Sequence, residues 1–337
     1  MRVVRFGVAI LLGLVLTEAG LRVRFPEVEA DRLYWGRGAF APREGFAYGH
    51  ARGATAMVSR PGRFAHPIAT NALGFRDARL PKDAPDSPRI VVAGASFAFG
   101  LGVPDPSDLF HVQLERDLRA RADWPDDLVV FNVSQSGYTI VSVSRLVRAT
   151  FGTFRPEAVV ELMSNGFGPQ RHDGVDIVDG YRLPRARRGA GTILDRFRVG
   201  SYTWMRSTNP FAGAWTFHRR RLGLRVPPEP NPNGTPDEIR ERLGVYREMM
   251  TMLRREGVPL FAVPVGGARG IVPVLRQMHM NVIELPRVPA WTTFLPDLHW
   301  NARGHREAAA IVARRLPPYR AIVEAKRRAQ RRRGAAP

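Results

Sequence analysis

Short apolar runs rich in β-branched residues alternate with helical stretches along most of this chain, and that alternation restricts what it can fold into. The runs are Arg89-Ile90-Val91-Val92, Leu128 to Val133, Ala158 to Met163, Pro259 to Val265 and Asn281 to Leu285. They are apolar at successive positions, so both faces of each strand are covered. Helical patterns separate them, from Ser107 and Asp108 to about Ala122, from Tyr138 to Thr150, from Thr235 to Glu256 and from Ile271 to Met278. A last helix follows, capped by Asn301 and reaching about Leu316 before Pro317 and Pro318. Strands alternating with helices predict an α/β fold with a parallel sheet between two helical layers. Thr235-Pro236-Asp237-Glu238 reads as a capping box with proline at the first helical position, and Gly257 is placed to end that helix in a left-handed turn.

The chain before the first strand reads differently. Arg2 and Arg5 precede an uninterrupted apolar stretch of eleven residues, Phe6 to Leu16. That is short for a bilayer span and the length of a signal-peptide core. The following Thr17-Glu18-Ala19 is a poor cleavage site. Residues 1–24 are therefore expected to be a signal peptide or an N-terminal membrane anchor, which places the protein in the cell envelope. Residues 25–88 show no clear periodicity and are expected to form an irregular approach to the main domain, 89–317. Within that domain Gly166 to Gly234 breaks the alternation, with no predicted strand, and reads as a lid or specificity insertion. Residues 318–337 are expected to be a basic, solvated tail.

The formal charge of +20 suggests a nucleic-acid partner. All but Lys82 and Lys326 of the 51 basic residues are arginine, beside abundant Ala, Gly and Pro, which is a codon bias rather than a binding signal. An export signal also argues against nucleic acid. There is no cysteine, and neither His111 nor His172-Asp173 has a third ligand at metal-binding spacing, so no metal and no cofactor is expected.

Polar and glycine residues collect just beyond the strands. The first strand leads into Gly94-Ala95-Ser96, the second into Ser134-Gln135-Ser136-Gly137, and the third into Ser164-Asn165-Gly166. The last strand is expected to lead into Leu295-Pro296-Asp297-Leu298-His299-Trp300-Asn301. A parallel sheet brings strand ends to one rim, where ligands bind. A serine hydroxyl becomes a nucleophile when a base takes its proton, and His299 is such a base. Asp297 is placed to accept from its far ring nitrogen. The N–H groups of Ser96 and Gly137 and the amide of Asn165 are candidate donors to an oxyanion. Singly, each residue also reads as a cap, turn or packing group; His305 is read as a helix-packing group.

Together, Gly94-Ala95-Ser96, Gly137, Asn165 and Asp297-Leu298-His299 resemble the four blocks of the SGNH (GDSL-type) hydrolases, in order. Asn71-Ala72-Leu73-Gly74-Phe75-Arg76 resembles the Asn-x-x-Gly-Phe-Arg signature of many membrane-anchored bacterial members. The resemblance spans roughly residues 60 to 320. It implies a three-layer α/β/α, flavodoxin-like fold with Ser96 as nucleophile, Asp297 and His299 completing a triad, and Ser96, Gly137 and Asn165 forming the oxyanion hole. The implied activity is cleavage of esters, often O-acetyl groups on carbohydrate. The implied substrate is an ester or acylated glycan. A polysaccharide acetyltransferase would use the same triad with a membrane partner supplying acyl groups. Ala95 stands where the family usually has aspartate, and Gly166 where its third block usually ends in aspartate. Those departures also leave open a degenerate domain that binds glycan or assembles complexes.

Overall fold

The computed structural model describes residues 2–24, 34–60, 64–164, 175–178, 181–184, 236–291 and 299–334. The chain divides into two compact units, one of Met1–Trp35, Val58–Ala65 and Leu183–Pro230, the other of Gly36–Met57, His66–Arg182 and Asn231–Pro337. The second unit joins most of the expected 89–317 to parts of the preceding segment and to the C-terminus, while Leu183–Pro230 of the insertion falls in the first.

In the first unit, helix α1 (Arg2–Arg24) exposes Phe6 at 70% and Leu16 at 64%, with Ile10, Leu11 and Leu12 also exposed. Among the described residues no helix is long and apolar enough to cross a membrane. Eleven apolar residues rise only about 17 Å, against a hydrocarbon core of about 30 Å. Strand β1 (Tyr34–Trp35) pairs antiparallel with β4 (Thr55–Arg60), Tyr34 opposite Ser59.

Within 25–88, expected to be an irregular approach, the described residues include short strands. Strand β2 (Phe40–Arg43) forms an antiparallel hairpin with β3 (Phe46–His50), and β5 (Phe64–Ala69) follows β4. Gly45, at φ 75°, turns the hairpin. Four to six residues per strand and a bulge between Ala41 and Arg43 are too little for a readable period.

The second unit is built on a five-stranded parallel sheet. Its strands are β6 (Arg89–Gly94), β7 (Val129–Ser134), β8 (Ala158–Met163), β11 (Leu260–Pro264) and β12 (Asn281–Val282). The order is β12-β11-β8-β6-β7. Every residue of β6, β7 and β8 is buried, which is why those runs lack alternation. One face, with Ile90, Val92, Val130, Val160 and Val263, packs on helices α3 (Phe110–Arg119) and α7 (Ala302–Arg315) through Leu114, Leu118, Ala308 and Val312. On the other side α4 (Ile140–Phe154) packs against α5 (Pro236–Arg255). Between β6 and α3 lies the short α2 (Ser96–Phe99), and α6 (Val272–Gln277) precedes β12. This is the three-layer α/β/α arrangement. Taken in chain order the strands run 2-1-3-4-5 across the sheet, and the order reverses between β6 and β8, where such folds open a ligand crevice.

Local departures have local causes. Pro106 starts a 3-10 turn capped by Asp105, so α3 begins at Phe110 rather than at Ser107. The insertion does contain strands, β9 (Val175–Val178) paired with β10 (Tyr181–Pro184). Strand β12 stops at Val282, short of Leu285. Thr235 lies outside the described residues. The basic C-terminus is a helix, α8 (Tyr319–Gly334), held by buried Ile322 and by close approach of Lys326 to Gly257.

Candidate active site

Strand β6 ends at Gly94 because nothing larger fits. A Cβ there would lie 2.7 Å from the Leu162 carbonyl oxygen of β8 and 2.8 Å from the Ala98 methyl. The chain then turns directly into α2, with Ser96 at its first position and partly exposed. Gly100 closes the turn at φ 79°, its N–H donating to the Ser96 and Phe97 carbonyls.

The buried Arg76 guanidinium supports this turn from below. It donates to the carbonyl of Gly100 at 2.5 Å, of Val103 at 2.5 Å and of Phe99 at 3.4 Å. Burial pulls its pKa down to about 10, which leaves it charged at neutral pH. Asn71 accepts from the N–H groups of Leu73 and Phe75, shaping the turn that delivers Arg76. Asp77 accepts from the Asn132 N–H of β7, and the Asn132 amide donates to the carbonyls of Arg76 and Ala98. The Asn71–Asp77 signature, read in the sequence without an assigned role, thus ties β7 to α2 and the turn that follows it.

His299 arrives from the other end of the chain. Its Nε2 lies 2.6 Å from Ser96 Oγ, within a normal O–H···N hydrogen bond. Its ring stacks on Phe97, centroids 4.8 Å apart and planes at 25°. Trp300 meets Phe97 edge-on at 5.3 Å and also packs on Trp291, so the residues flanking the Ser96–His299 contact are fixed. Asn301 caps α7, accepting from the Gly304 N–H at 2.9 Å.

Gly137 follows β7 at φ 81°. Gly94 is paired with Ser134, and the Gln135 N–H donates to the Gly94 carbonyl at 3.2 Å, so the loops carrying Ser96 and Gly137 leave the sheet at the same level. Asn165 and Asp297 lie outside the described residues. Ser164, the residue before Asn165, follows β8 and is buried.

The remaining histidines have other tasks. His305 accepts from the Phe110 N–H at 3.0 Å, and burial pushes its pKa down to about 3. It is a neutral strut between α7 and α3. His111 is buried with its Nε2 3.7 Å from Asp77, and its pKa is pushed down to about 4, chiefly by burial. His172 and Asp173 lie outside the described residues. Among the described residues no group of three or more His, Asp or Glu side chains could hold a metal.

One feature of the site had no sequence signal. Ala95 lines a cavity of about 10 Å³ together with Thr139, Glu161 and Ser164. Glu161 is buried within β8, accepts from the Tyr246 hydroxyl at 2.7 Å, and is raised by burial to a pKa of about 7. A single acid inside an apolar run reads as noise until its neighbours are known.

No family model and no curated protein sequence matches this chain. Among solved structures it is similar to a Desulfitobacterium hafniense protein assigned to the G-D-S-L lipolytic family, at 9% identity and a TM-score of 0.38, covering 68% of this chain and 99% of that one. It is also similar to a two-domain esterase active on acetylated mannans, at 12% identity and TM-score 0.38, covering 68% of this chain and 48% of that one. An esterase from Pseudoalteromonas sp. matches at 10% identity and TM-score 0.35, covering 66% and 92%. The likeness is partial.

Proposed function

We propose that this chain is a serine acyl esterase of the cell envelope, acting on O-acyl groups, acetyl above all, of a carbohydrate or other small ester. The observation that carries this reading is the 2.6 Å contact between His299 Nε2 and Ser96 Oγ beside the sheet's switch point. Export rests on the signal-like apolar run of α1, and the preference for acetylated carbohydrate rests on the family resemblance.

In the proposed cycle Ser96 Oγ attacks the acyl carbon as its proton passes to His299 Nε2. The carbonyl π-electrons move onto oxygen, where the N–H groups of Ser96 and Gly137 receive the charge, with Asn165 assigned to the same task. Collapse of the intermediate expels the alkoxide, which takes the proton from His299 and leaves acyl-Ser96. Water then gives a proton to His299 and attacks the acyl carbon. Ser96 recovers its proton and the carboxylic acid leaves. Asp297 is assigned the orientation of His299.

The test is labelling by a fluorophosphonate probe, alongside turnover of p-nitrophenyl acetate. Wild type should be labelled at Ser96, while Ser96→Ala should lose both signals. His299→Ala should fall by at least about 10³-fold. A folded wild type that neither labels nor turns over would exclude this reading.

A further inference from the structure

The β2–β3 hairpin lies upstream of the sheet and supplies neither member of the Ser96–His299 pair, yet it grips the loop that carries Gly137. The His50 N–H donates to Gln135 Oε1 at 2.6 Å, and Gln135 Nε2 donates to the Gly74 carbonyl at 2.7 Å. The Ser136 N–H donates to His50 Nε2 at 3.4 Å, and the Tyr48 hydroxyl donates to the Ser136 carbonyl at 3.0 Å. The Tyr138 hydroxyl donates in turn to the Tyr48 carbonyl. Tyr48, His50, Gln135 and Ser136 are all buried.

His50 also touches the turn that carries Ser96. Its ring lies stacked on Phe40 at 4.7 Å and on Phe99 at 4.2 Å, and Phe99 is the last residue of α2. Its nitrogens are distinguishable. The Ser136 N–H needs an acceptor at Nε2, while the Ala39 carbonyl, 3.2 Å from Nδ1, needs a donor there. The imidazole is therefore neutral, with its proton on Nδ1.

The peptide joining Ser136 to Gly137 is the point of leverage. A trans peptide is planar, so its C=O and N–H point in opposite directions. Holding the Ser136 oxygen against the Tyr48 hydroxyl therefore fixes where the Gly137 N–H points. A hydrogen bond to the oxygen also polarises the peptide and makes its N–H a stronger donor. We infer that Tyr48 and His50 are positioning residues, through which the N-terminal hairpin aims the Gly137 N–H at the developing oxyanion. This rests on the reading of Ser96 as nucleophile.

The test uses the full chain and two variants. Tyr48→Phe keeps the ring and its edge contacts with Phe40 and Tyr138 but loses the hydroxyl. His50→Phe keeps a ring between Phe40 and Phe99 but loses the acceptor. Fluorophosphonate labelling rate, kcat and KM for p-nitrophenyl acetate, and the thermal midpoint are measured for each. In Tyr48→Phe the labelling rate and kcat should fall about tenfold, a fraction of the 10²–10³ that loss of an oxyanion donor costs. KM should stay within about twofold and the midpoint nearly unchanged. The double variant should lose less than the product of the single losses, because both side chains hold the same residue, His50 by the Ser136 N–H and Tyr48 by the Ser136 carbonyl. Wild-type labelling and kcat in Tyr48→Phe, or a rise in KM alone, would remove the hairpin's role and leave the serine reading standing. An unlabelled wild type would remove both.

Discussion

Ala95 lines the same small cavity as Glu161, whose carboxyl is raised by burial to a pKa of about 7. The family that the sequence resembles usually has an aspartate where Ala95 stands, and a second carboxylate there would share that cavity with Glu161. Two like charges sharing a buried site cannot both ionise without a large cost. Ala95→Asp should therefore destabilise the fold by about 2 kcal/mol or more at pH 8, as read by urea unfolding. Pairing it with Glu161→Gln should recover most of the loss. The Glu161 carboxyl has a folded pKa above its unfolded one, so its stabilisation is full below about pH 4.5 and is lost as pH rises to about 7. Glu161→Gln, which keeps an acceptor for Tyr246, should thus exceed the wild type by an amount of order 3 kcal/mol at pH 8, with no gain near pH 4.5. At this scale the place of Ser96 was legible in the sequence, because it directly follows a buried strand. His299 lies well beyond the end of β12 and was picked out by its Asp-x-His block; that the two would meet was expected, and they do. Arg76 and Asn132 were not legible, because their partners are carbonyls on loops whose meeting no local pattern records.

Among the elements, the junction of α5 with β11 bears directly on α8. Gly257 sits at φ 71°, and a Cβ on it would lie 2.6 Å from the Lys326 Cα. Gly257→Ala combines a strained backbone with a backbone overlap. It should loosen α8, and limited trypsin digestion would show that as faster cleavage after Arg327 and Arg328 while the rest of the chain resists. Helices were the readable elements. Asn301 was legible as a cap and does cap α7. Gly257, expected to end α5 in a left-handed turn, does so. The short strands of 34–69 and 175–184 were not legible. Two to six residues give no measurable period, and what selects them is pairing across the chain.

For the molecule as a whole, two buried histidines oppose Glu161 on acidification. His111 and His305 have folded pKa values of about 4 and about 3, below the ordinary 6.5. The unfolded chain takes up those protons first, so stability is lost as pH falls below about 6.5. Two groups outweigh one, and denaturation midpoints should drop between pH 7 and pH 5. Glu161→Gln should steepen that drop, since the compensating carboxyl is gone; an unchanged slope would mean that Glu161 is already ionised in the fold.

Ser96 and His299 are separated by 203 residues of sequence. A ribosome adding about 5–20 residues per second therefore makes the serine roughly 10–40 s before its partner. Until α7 docks and brings His299 to the rim, the hydroxyl has no base beside it. The chain is born with a built-in delay. The pair assembles only once the chain has been made as far as α7, and a copy that stops short of residue 299 has a lone serine and no base.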